Sequence, residues 1–308
     1  MTAGFHLAAS VSHKRREVWI GLACVALVVA IWSGFQLLSR FGARSGMSAA
    51  DLTLLRFGVS GAIMFPLLAR KGLHGVPLPR AIVLMVAGGV GFSLLAFSGF
   101  AHAPASHGAA LLAGSLPLFT GLAAMTLLGE RFGPVKLLGL GLIVGGVACI
   151  GIDGFGHAGL DYWRGDLYFL AGALSWTLFT VACRAWRITP IQATVIVSTL
   201  SMIVYLPVYL LTVKPGFSDI APSQILVQAI YHGVVSMVLT MFAYTRAIAA
   251  LGAATTSMIT AAVPGIVTLS AAPLLGEIPS PLALAGTALV TVGMVATVLT
   301  IRQAPGKP

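Results

Sequence analysis

The feature that most constrains this chain is a series of ten apolar segments, each close to the ~20 residues that an α-helix needs to cross a bilayer. They lie at residues 18–41, 50–68, 81–101, 105–128, 134–152, 166–183, 190–213, 223–244, 252–275 and 281–301. Because hydrocarbon offers no partner to a backbone amide or carbonyl, segments of this length are expected to be helices. The sequence therefore predicts an all-α integral membrane protein with ten transmembrane helices and short connections.

The residue composition excludes a water-soluble protein. Hydrophobic residues make up 58% of the chain and charged residues only 8%, whereas about a quarter of the residues of a soluble domain are charged. The basic residues behind the net charge of +10 occur singly or in short clusters between apolar segments. That distribution is typical of topology signals and not of a nucleic-acid-binding surface. We therefore expect membrane lipid around the protein and no nucleic-acid partner.

The distribution of Lys and Arg predicts the orientation. Residues 1–17 form a polar leader, and the helix after it is expected to be retained because it is of full span length and lacks a small-residue cleavage pattern. Thirteen basic residues fall on the side of the leader, Arg56 lies inside a span, and the opposite side has four: Arg40, Arg44, Arg164 and Lys214. The positive-inside rule then predicts cytoplasmic N- and C-termini in a bacterial-type cytoplasmic (inner) membrane.

An internal duplication organises the chain. Residues 108–146 align with residues 255–293 at a constant offset of 147 without a gap, and 12 of the 39 positions are identical. The identical glutamates are the most informative match, because the whole chain has only three. The pairs used below are Pro117/Pro264, Glu130/Glu277, Gly139/Gly286 and Gly146/Gly293. A repeat of this length indicates that the fold consists of two related halves.

The two halves are predicted to be inverted relative to each other. The first comprises residues 18–152 and the second residues 166–301, joined by an external linker at 153–165 and followed by a cytoplasmic tail at 302–308. Each half has five spans, and an odd number makes the second copy enter the membrane from the opposite side. Inverted repeats recur in secondary transporters, where two halves rock about a central site.

Six short motifs are informative: Pro-Leu-Phe-Thr at 117–120, Leu-Leu-Gly-Glu at 127–130, Leu-Gly at 138–139, Leu-Ile-Val-Gly-Gly-Val at 142–147, Trp-Ser at 32–33 and Arg-Phe at 56–57. Together they resemble the EamA family of the drug/metabolite transporter superfamily. The second copy keeps Pro264 and Glu277, but Leu-Phe-Thr is replaced there by Gly-Ile-Val at 265–267. The resemblance implies a secondary transporter of small metabolites that works by alternating access. Members of this family export amino acids and varied metabolites.

We therefore expect an exporter of amino acids or related compounds. An exporter of drugs or other metabolites is the alternative, and a non-transporting scaffold or receptor is the alternative from another class. An enzyme is not expected, because no metalloprotease motif, catalytic triad grouping or phosphate-binding loop occurs outside the spans. His102 and His107 are too solitary to predict a metal site, and no cofactor is expected. The sequence does not decide whether the protein is a monomer or a homodimer.

Four of the matched residues are predicted to be architectural. Pro117 and Pro264 lie near the middle of their spans, where each removes a backbone donor and leaves a carbonyl that must face protein or a water-filled cavity. A simple packing kink is the other interpretation. Glu130 and Glu277 lie at helix ends and are expected to accept backbone donors from the start of the next span, with substrate contact as the alternative. Gly139, Gly141, Gly145 and Gly146 are expected to let helices approach closely in lipid, and Gly141 and Gly145 among them have the GxxxG spacing.

Aromatic and polar residues deep in the spans are the candidates for substrate binding. Trp32 and Trp176 occupy corresponding places in spans one and six, more than a turn from the membrane interface where Trp usually gathers. Arg56 is expected either to snorkel or to line the outer half of the cavity. The further candidates, each of which could instead be a packing contact, are Gln36, Ser93, Phe97, Ser115, Thr180, His232, Ser236, Ser257 and Thr260. An apolar, aromatic chamber with a few hydrogen-bonding groups suits a small amphiphilic molecule.

No mid-span carboxylate is present to relay protons. Every Asp and Glu maps to a loop or a helix end, and proton-driven transporters commonly use carboxylates within the membrane. Coupling could still proceed through His232, which is interpreted first as a buried neutral side chain, or through the substrate. We expect export down the substrate gradient with weak pH dependence.

Overall fold

The structure, a computed structural model, describes residues 2–128, 132–156 and 161–299. These residues contain no strand, and ten of their helices are long and apolar enough to cross a membrane. We number them α1 to α10: Arg16–Arg44, Ala49–Lys71, Leu78–His102, Ala105–Thr126, Pro134–Gly156, Tyr162–Ala185, Pro190–Thr212, Pro222–Leu251, Ala253–Leu275 and Pro281–Leu299. The prediction of an all-α protein with ten transmembrane helices is confirmed.

The helix that contains α1 begins at Thr2. The leader predicted for residues 1–17 is therefore helical from its second residue and continuous with the first span. The reason is local, because no proline or glycine pair interrupts the chain between the leader and the apolar segment.

Side-chain caps determine where two helices start. Ser48 precedes α2, and its hydroxyl oxygen accepts the Asp51 amide at 3.1 Å while the Asp51 carboxylate accepts the Ser48 amide at 2.9 Å. Thr189 and Gln192 form the same reciprocal cap at the start of α7. Each cap satisfies two amides that the first helical turn leaves without partners. The same reciprocal cap therefore begins the second helix of both halves.

The packing of the helices follows the duplication. The most extensively packed pairs are α5 with α10, α2 with α7, α3 with α6 and α1 with α8. Exchanging the two halves maps the first two pairs onto themselves and the last two onto each other. This pattern agrees with two inverted five-helix repeats related by a pseudo-two-fold axis. Helices α1, α3, α5, α7 and α9 end on one side of the bundle, which we call the Glu277 end.

Matched glycines form the contact between α5 and α10. A Cβ added to Gly146 would lie 2.6 Å from the carbonyl oxygen of Gly286, and one added to Gly293 would lie 2.6 Å from the carbonyl oxygen of Gly139. In contrast, Gly141 has no atom within 4 Å of such a Cβ, and Gly145 has only a Leu289 carbon at 4.0 Å. Of the four glycines of this helix that were expected to let helices approach closely, Gly139 and Gly146 therefore form the contact, and Gly141 and Gly145 do not. Glycines seven residues apart share the packed helix face, while the GxxxG pair points away from it.

Both helices that carry the matched prolines are interrupted just before them. In α4 a turn at residues 114–115 precedes a new helical segment, and Pro117 lies in the first turn of that segment. In α9 a turn at residues 261–262 precedes the segment that has Pro264 at its start. Proline fits the first turn of a helix because its missing amide would have no partner there. The turns therefore accommodate the prolines without removing a hydrogen bond from the middle of a helix.

The helices α3 and α8, which are equivalent in the two halves, contain wider π-helical turns. These occupy Val86–Val90 in α3 and Ile230–Leu239 in α8. Segments of this kind are frequent at functional sites because they turn side chains out of the regular helical register. Both helices thus have irregular backbone at their centres.

Candidate substrate site

Arg56 is buried within the bundle, and no acidic residue in the described part of the chain pairs with it. Its side chain on α2 is buried, with 3% of its surface exposed. The guanidinium carbon lies 5.2 Å from the ring centroid of Phe35 and 5.9 Å from that of Phe92, and one terminal nitrogen donates to the Ser236 hydroxyl at 3.3 Å. No described residue places a carboxylate within 4.0 Å of it, and its Nε has no hydrogen-bond partner. The guanidinium is thus enclosed by aromatic rings and does not snorkel to the end of its helix.

His232 lies against the same aromatic rings. It is fully buried on α8, with its ring edge-on to Phe35 at 5.3 Å and to Phe97 at 5.1 Å between ring centroids. Neither ring nitrogen has a hydrogen-bond partner among the residues that the structure describes. A neutral imidazole can donate through one nitrogen and accept through the other, so His232 offers both functions to a ligand.

We define the Arg56 site as Phe35, Arg56, Phe92, Phe97, His232 and Ser236. Gln36 and Ser93 directly follow Phe35 and Phe92 in the chain, and their side-chain oxygens are buried without hydrogen-bond partners among the described residues. Buried polar groups in folded proteins are nearly always hydrogen-bonded. Within the Arg56 site, Arg56 Nε and both ring nitrogens of His232 are exceptions to this rule. Unpaired polar groups beside a buried cation are what a ligand site is expected to offer.

The structure brings some of the predicted residues together and separates others. Trp176 packs beside the Arg56 site, with its ring tilted against that of Phe92 at 4.7 Å between ring centroids. Trp32 belongs to a different cluster, where its ring lies 5.4 Å from that of Tyr244 between ring centroids and Tyr244 lies near Ser257. The two tryptophans that correspond in sequence therefore have different surroundings.

Three predicted hydroxyl groups lie elsewhere. Thr180 donates to the carbonyl of Thr177 at 2.9 Å, and Thr260 donates to the carbonyl of Ser257 at 3.0 Å, so both bond to their own helices. Ser115 lies in the turn of α4, where its hydroxyl is buried and has no hydrogen-bond partner in the described part of the chain. Such bonds to the preceding helical turn are common for Thr within helices.

Phe35 and Phe92 are site residues that the sequence reasoning missed. They were overlooked because phenylalanine is abundant in apolar spans, where packing is its usual role. A signal was available, since Phe35 lies one helical turn after Trp32 and Phe92 directly precedes Ser93. Tyr244, which contacts Trp32, was missed because an aromatic residue in an apolar span was likewise interpreted as a packing residue.

Glu277 joins several helices at the end of the bundle named after it. Its carboxylate lies 2.6 Å from Arg40 Nε and 3.8 Å from Arg44, and it accepts the amide of Ala105 at 3.0 Å. The sequence predicted that an amide at the start of the next span, α10, donates to Glu277. The observed donor is instead the amide of Ala105, the first residue of α4. Folding brings α4 closer to this carboxylate than the start of α10. The matched Glu130 lies outside the described residues.

A buried cluster of His107, Asp153 and Asp166 lies at the same end. His107 Nδ1 is 2.8 Å from an Asp166 oxygen, and its Nε2 is 3.0 Å from an Asp153 oxygen. The Ser280 hydroxyl donates to the other oxygen of Asp153. His107 was expected to be solitary, and this expectation is wrong because α4, α5 and α6 converge here. No group of three or more potential ligands among the described residues has the geometry of a metal site.

A cleft of about 400 Å³ opens beside this cluster. It is lined by Arg40, Arg44, Ser106, His107, Asp153, Tyr162, Glu277 and Ser280, among others. The Glu277 contacts and the histidine cluster therefore surround one opening at this end of the bundle.

Comparison with known proteins agrees with this architecture. The EamA-like transporter family matches residues 19–152 and 163–299. A protein of Streptantibioticus cattleyicolor named "Probable terminal-alkyne amino-acid exporter" is 29% identical over 287 residues, which cover 91% of this chain and 92% of that protein. A crystal structure of a protein 23% identical in sequence superposes with a TM-score of 0.59 over 94% of this chain and 99% of that one.

The structural likeness shows that the two proteins share a fold, and the family match extends over both halves. The expectation that the protein is not an enzyme is confirmed, because the family consists of transporters. The chain therefore belongs to the EamA-like transporter family and is a multi-pass membrane transporter for a small molecule.

Proposed function

We propose that this protein exports amino acids or closely related small carboxylic acids by alternating access. The observation that carries the proposal is Arg56, a buried guanidinium without a carboxylate partner among the described residues. A buried charge is costly unless it is paired. A substrate carboxylate would supply the missing pair, and a guanidinium can hold both oxygens of a carboxylate in parallel.

The other members of the Arg56 site suit the rest of such a molecule. Phe35, Phe92 and Phe97 present apolar surface to a side chain, while His232 offers a donor and an acceptor. A few polar groups that orient the ligand within an apolar pocket are characteristic of small-molecule sites. The similar protein named as an amino-acid exporter supports the same substrate class.

The inverted halves support alternating access about this site. The interrupted helices α4 and α9 supply equivalent hinges in the two halves, and discontinuous helices surround the substrate in several transporter folds. The excess of Lys and Arg on the side of the leader supports cytoplasmic termini in a cytoplasmic membrane. The Glu277 end then faces outward, and the substrate leaves the cell through it.

Transport into proteoliposomes tests the proposal. Wild-type protein is expected to move amino acids with apolar side chains, and to move the corresponding amides, which lack the negative charge, less well. Hydrogen bonds to charged groups contribute about 1.5–3 kcal/mol, so we expect the acid to be favoured over the amide by about 10- to 150-fold in KM. In Arg56→Gln this preference should vanish, and in Arg56→Lys it should be reduced because the planar fork is lost.

Arg164→Lys is the matched control. Arg164 is an exposed arginine that pairs with Asp161 at 2.9 Å, far along the chain from the Arg56 site, and its replacement should leave KM unchanged. Folded Arg56→Gln protein that still prefers the acid over the amide would refute the proposed role of Arg56. Uncharged amphiphiles that are transported as well as amino acids would favour the drug-exporter alternative, and verified folded protein without any flux would favour the scaffold.

A further inference from the structure

The Arg56 site contains a positive charge and no side chain that can carry a negative one. Arginine is a permanent cation, histidine is either neutral or positive, and the serine and phenylalanine members of the site are uncharged. Only 3% of the surface of Arg56 is exposed, so water does little to screen its charge. A molecule that binds to Arg56 must therefore bring the negative charge that the site lacks.

The helices packed against α2 place no acidic side chain beside Arg56. These helices are α1, α3, α7 and α8, and the one acid among their residues is Glu17 of α1. Glu17 lies in the first turn of α1, where its carboxylate is 2.6 Å from Arg246. Asp51 of α2 lies five residues before Arg56, and its carboxylate accepts the hydroxyl of Tyr209. Both acids therefore have partners away from the Arg56 site.

The other ionisable side chains on these four helices supply no negative charge either. The basic ones lie near helix ends and add only positive charge; they are Arg16, Arg40, Arg44, Arg80, His102 and Arg246. Tyr205 and Tyr231 donate their hydroxyl hydrogens to the carbonyls of Ala50 and Ile31, at 3.2 and 2.8 Å. A hydroxyl that donates keeps its hydrogen, so these tyrosines are neutral.

The remaining acids of the chain lie elsewhere. Four of them contact basic or histidine side chains at the Glu277 end: Asp153 with His107, Asp166 with His107, Asp161 with Arg164 and Glu277 with Arg40. Asp219 is exposed in the loop after α7, and Glu130 lies outside the described residues. Within the described part of the chain, Arg56 thus has no acidic neighbour.

Charge balance then distinguishes two kinds of carboxylic acid. A monoanion forms a neutral pair with the guanidinium of Arg56. An amino acid at neutral pH also carries an ammonium group on the carbon next to its carboxylate, so its complex with Arg56 has a net positive charge. The ammonium group is held close to a guanidinium of the same sign. A buried charge without a counter-ion is costly, so the zwitterion is expected to bind more weakly.

The neutral groups of the site can bind an ammonium group but cannot cancel its charge. His232 offers one ring nitrogen as an acceptor, and the Ser236 hydroxyl already accepts from Arg56 at 3.3 Å. The rings of Phe35 and Phe92, which could attract a cation, already have the guanidinium carbon at 5.2 and 5.9 Å from their centroids. A hydroxyl group can donate to His232 or accept from it without adding any charge.

We propose, on the basis of the carboxylate recognition proposed above, that the Arg56 site selects monoanionic carboxylic acids over zwitterionic amino acids. Such acids carry a hydroxyl, a keto or an acylated amino group in place of the free ammonium group. The three phenylalanines of the site favour an apolar side chain on the same molecule. The substrate class is thus narrowed to small apolar acids with a single negative charge.

Equilibrium binding to the full-length protein in detergent, measured by titration calorimetry, tests this inference. The matched ligands are leucine and 2-hydroxy-4-methylpentanoate, which differ only in that a hydroxyl replaces the ammonium group. The amide of the hydroxy acid is the third ligand, because it lacks the carboxylate and reports on carboxylate recognition separately. Arg56→Gln is the test variant and Arg164→Lys the control, and thermal unfolding verifies that both are folded.

We expect the hydroxy acid to bind to the wild-type protein at pH 7 at least about tenfold more tightly than leucine, because an unpaired buried charge costs more than a neutral group. This ratio should fall toward one when the pH is raised until leucine loses its ammonium proton, since leucine then becomes a monoanion too. In Arg56→Gln the advantage of the hydroxy acid should be lost, because the anion no longer has a counter-ion. Arg164→Lys should keep it.

The possible failures are distinguishable. A hydroxy acid that binds more tightly than its amide but no more tightly than leucine would overturn this inference and leave carboxylate recognition by Arg56 intact. An advantage of the hydroxy acid over leucine that persists in folded Arg56→Gln protein would also overturn it, because the charge of Arg56 would not be its cause. Equal affinities for the hydroxy acid and its amide would instead refute the proposed carboxylate recognition, and this inference with it.

Discussion

Replacing Gly146 by alanine tests the contact between the two halves most directly. The new Cβ would lie 2.6 Å from the Gly286 carbonyl oxygen, 2.6 Å from a Val290 methyl carbon and 3.0 Å from the Val290 amide nitrogen. Two of these three atoms belong to the backbone, so they cannot rotate away. Helices α5 and α10 would have to separate along the most extensive helix contact in the described part of the protein.

The size of the effect follows from comparison with Gly141→Ala on the same helix. A Cβ at Gly141 meets no atom within 4 Å. Both variants gain the helix propensity of alanine over glycine, about 1 kcal/mol. Only Gly146→Ala adds an overpacking cost of about 1–3 kcal/mol. The propensity gain cancels in the difference between the two variants, so Gly146→Ala should be less stable than Gly141→Ala by about 1–3 kcal/mol.

Equilibrium unfolding of the detergent-solubilised protein measures this difference. Gly286→Ala should be destabilised to a similar extent, because its Cβ would come 2.9 Å from the carbonyl oxygen of Gly146. The double variant Gly146→Ala/Gly286→Ala should lose less than the sum of the single losses, since the first substitution already separates the helices. If Gly141→Ala were the less stable single variant, the GxxxG face would be the contact and the packing described above would be wrong.

Two further predictions concern the Glu277 end. Glu277→Gln should lower the yield of folded protein more than substrate affinity, because the uncharged amide can still accept from Ala105 but loses its ion pair with Arg40. Yield and KM measured together check this, and normal yield with lost binding would instead indicate a substrate contact. Tyr209→Phe should destabilise the protein by about 1–3 kcal/mol, because it removes a hydroxyl that donates to the buried carboxylate of Asp51. Thermal unfolding checks this value, and an unchanged midpoint would contradict it.

The ten helices were predictable because their causes are local. A bilayer requires each segment to satisfy its own backbone groups, so length and hydropathy identify the spans. The matched glycines were also visible in the aligned repeats, and they meet across the pseudo-two-fold axis as Gly139 with Gly293 and Gly146 with Gly286. What the alignment could not show was that these pairs, and not Gly141 and Gly145, face the partner helix.

The two polar sites were only partly predictable, because their members are distant in sequence. Arg56 and Ser236 are separated by 180 positions, and His107 is separated from Asp166 by 59. A pattern along one helix indicates which residues share a face of that helix. It does not indicate which other helix that face contacts. Arg56 and His232 could therefore be predicted as candidate substrate-binding residues, while Phe35 and Phe92 were missed.

The sequence by itself determined the medium, the number of spans and the duplication into two halves, because each depends on composition and order along the chain. The tertiary structure decided which buried groups meet. It enclosed Arg56 in aromatic rings with no acidic partner among the described residues, and it placed His107 between two carboxylates that the sequence had assigned only to helix ends. The physical reason is that pairing of buried charges depends on distances of a few ångströms between helices, and only packing determines those distances.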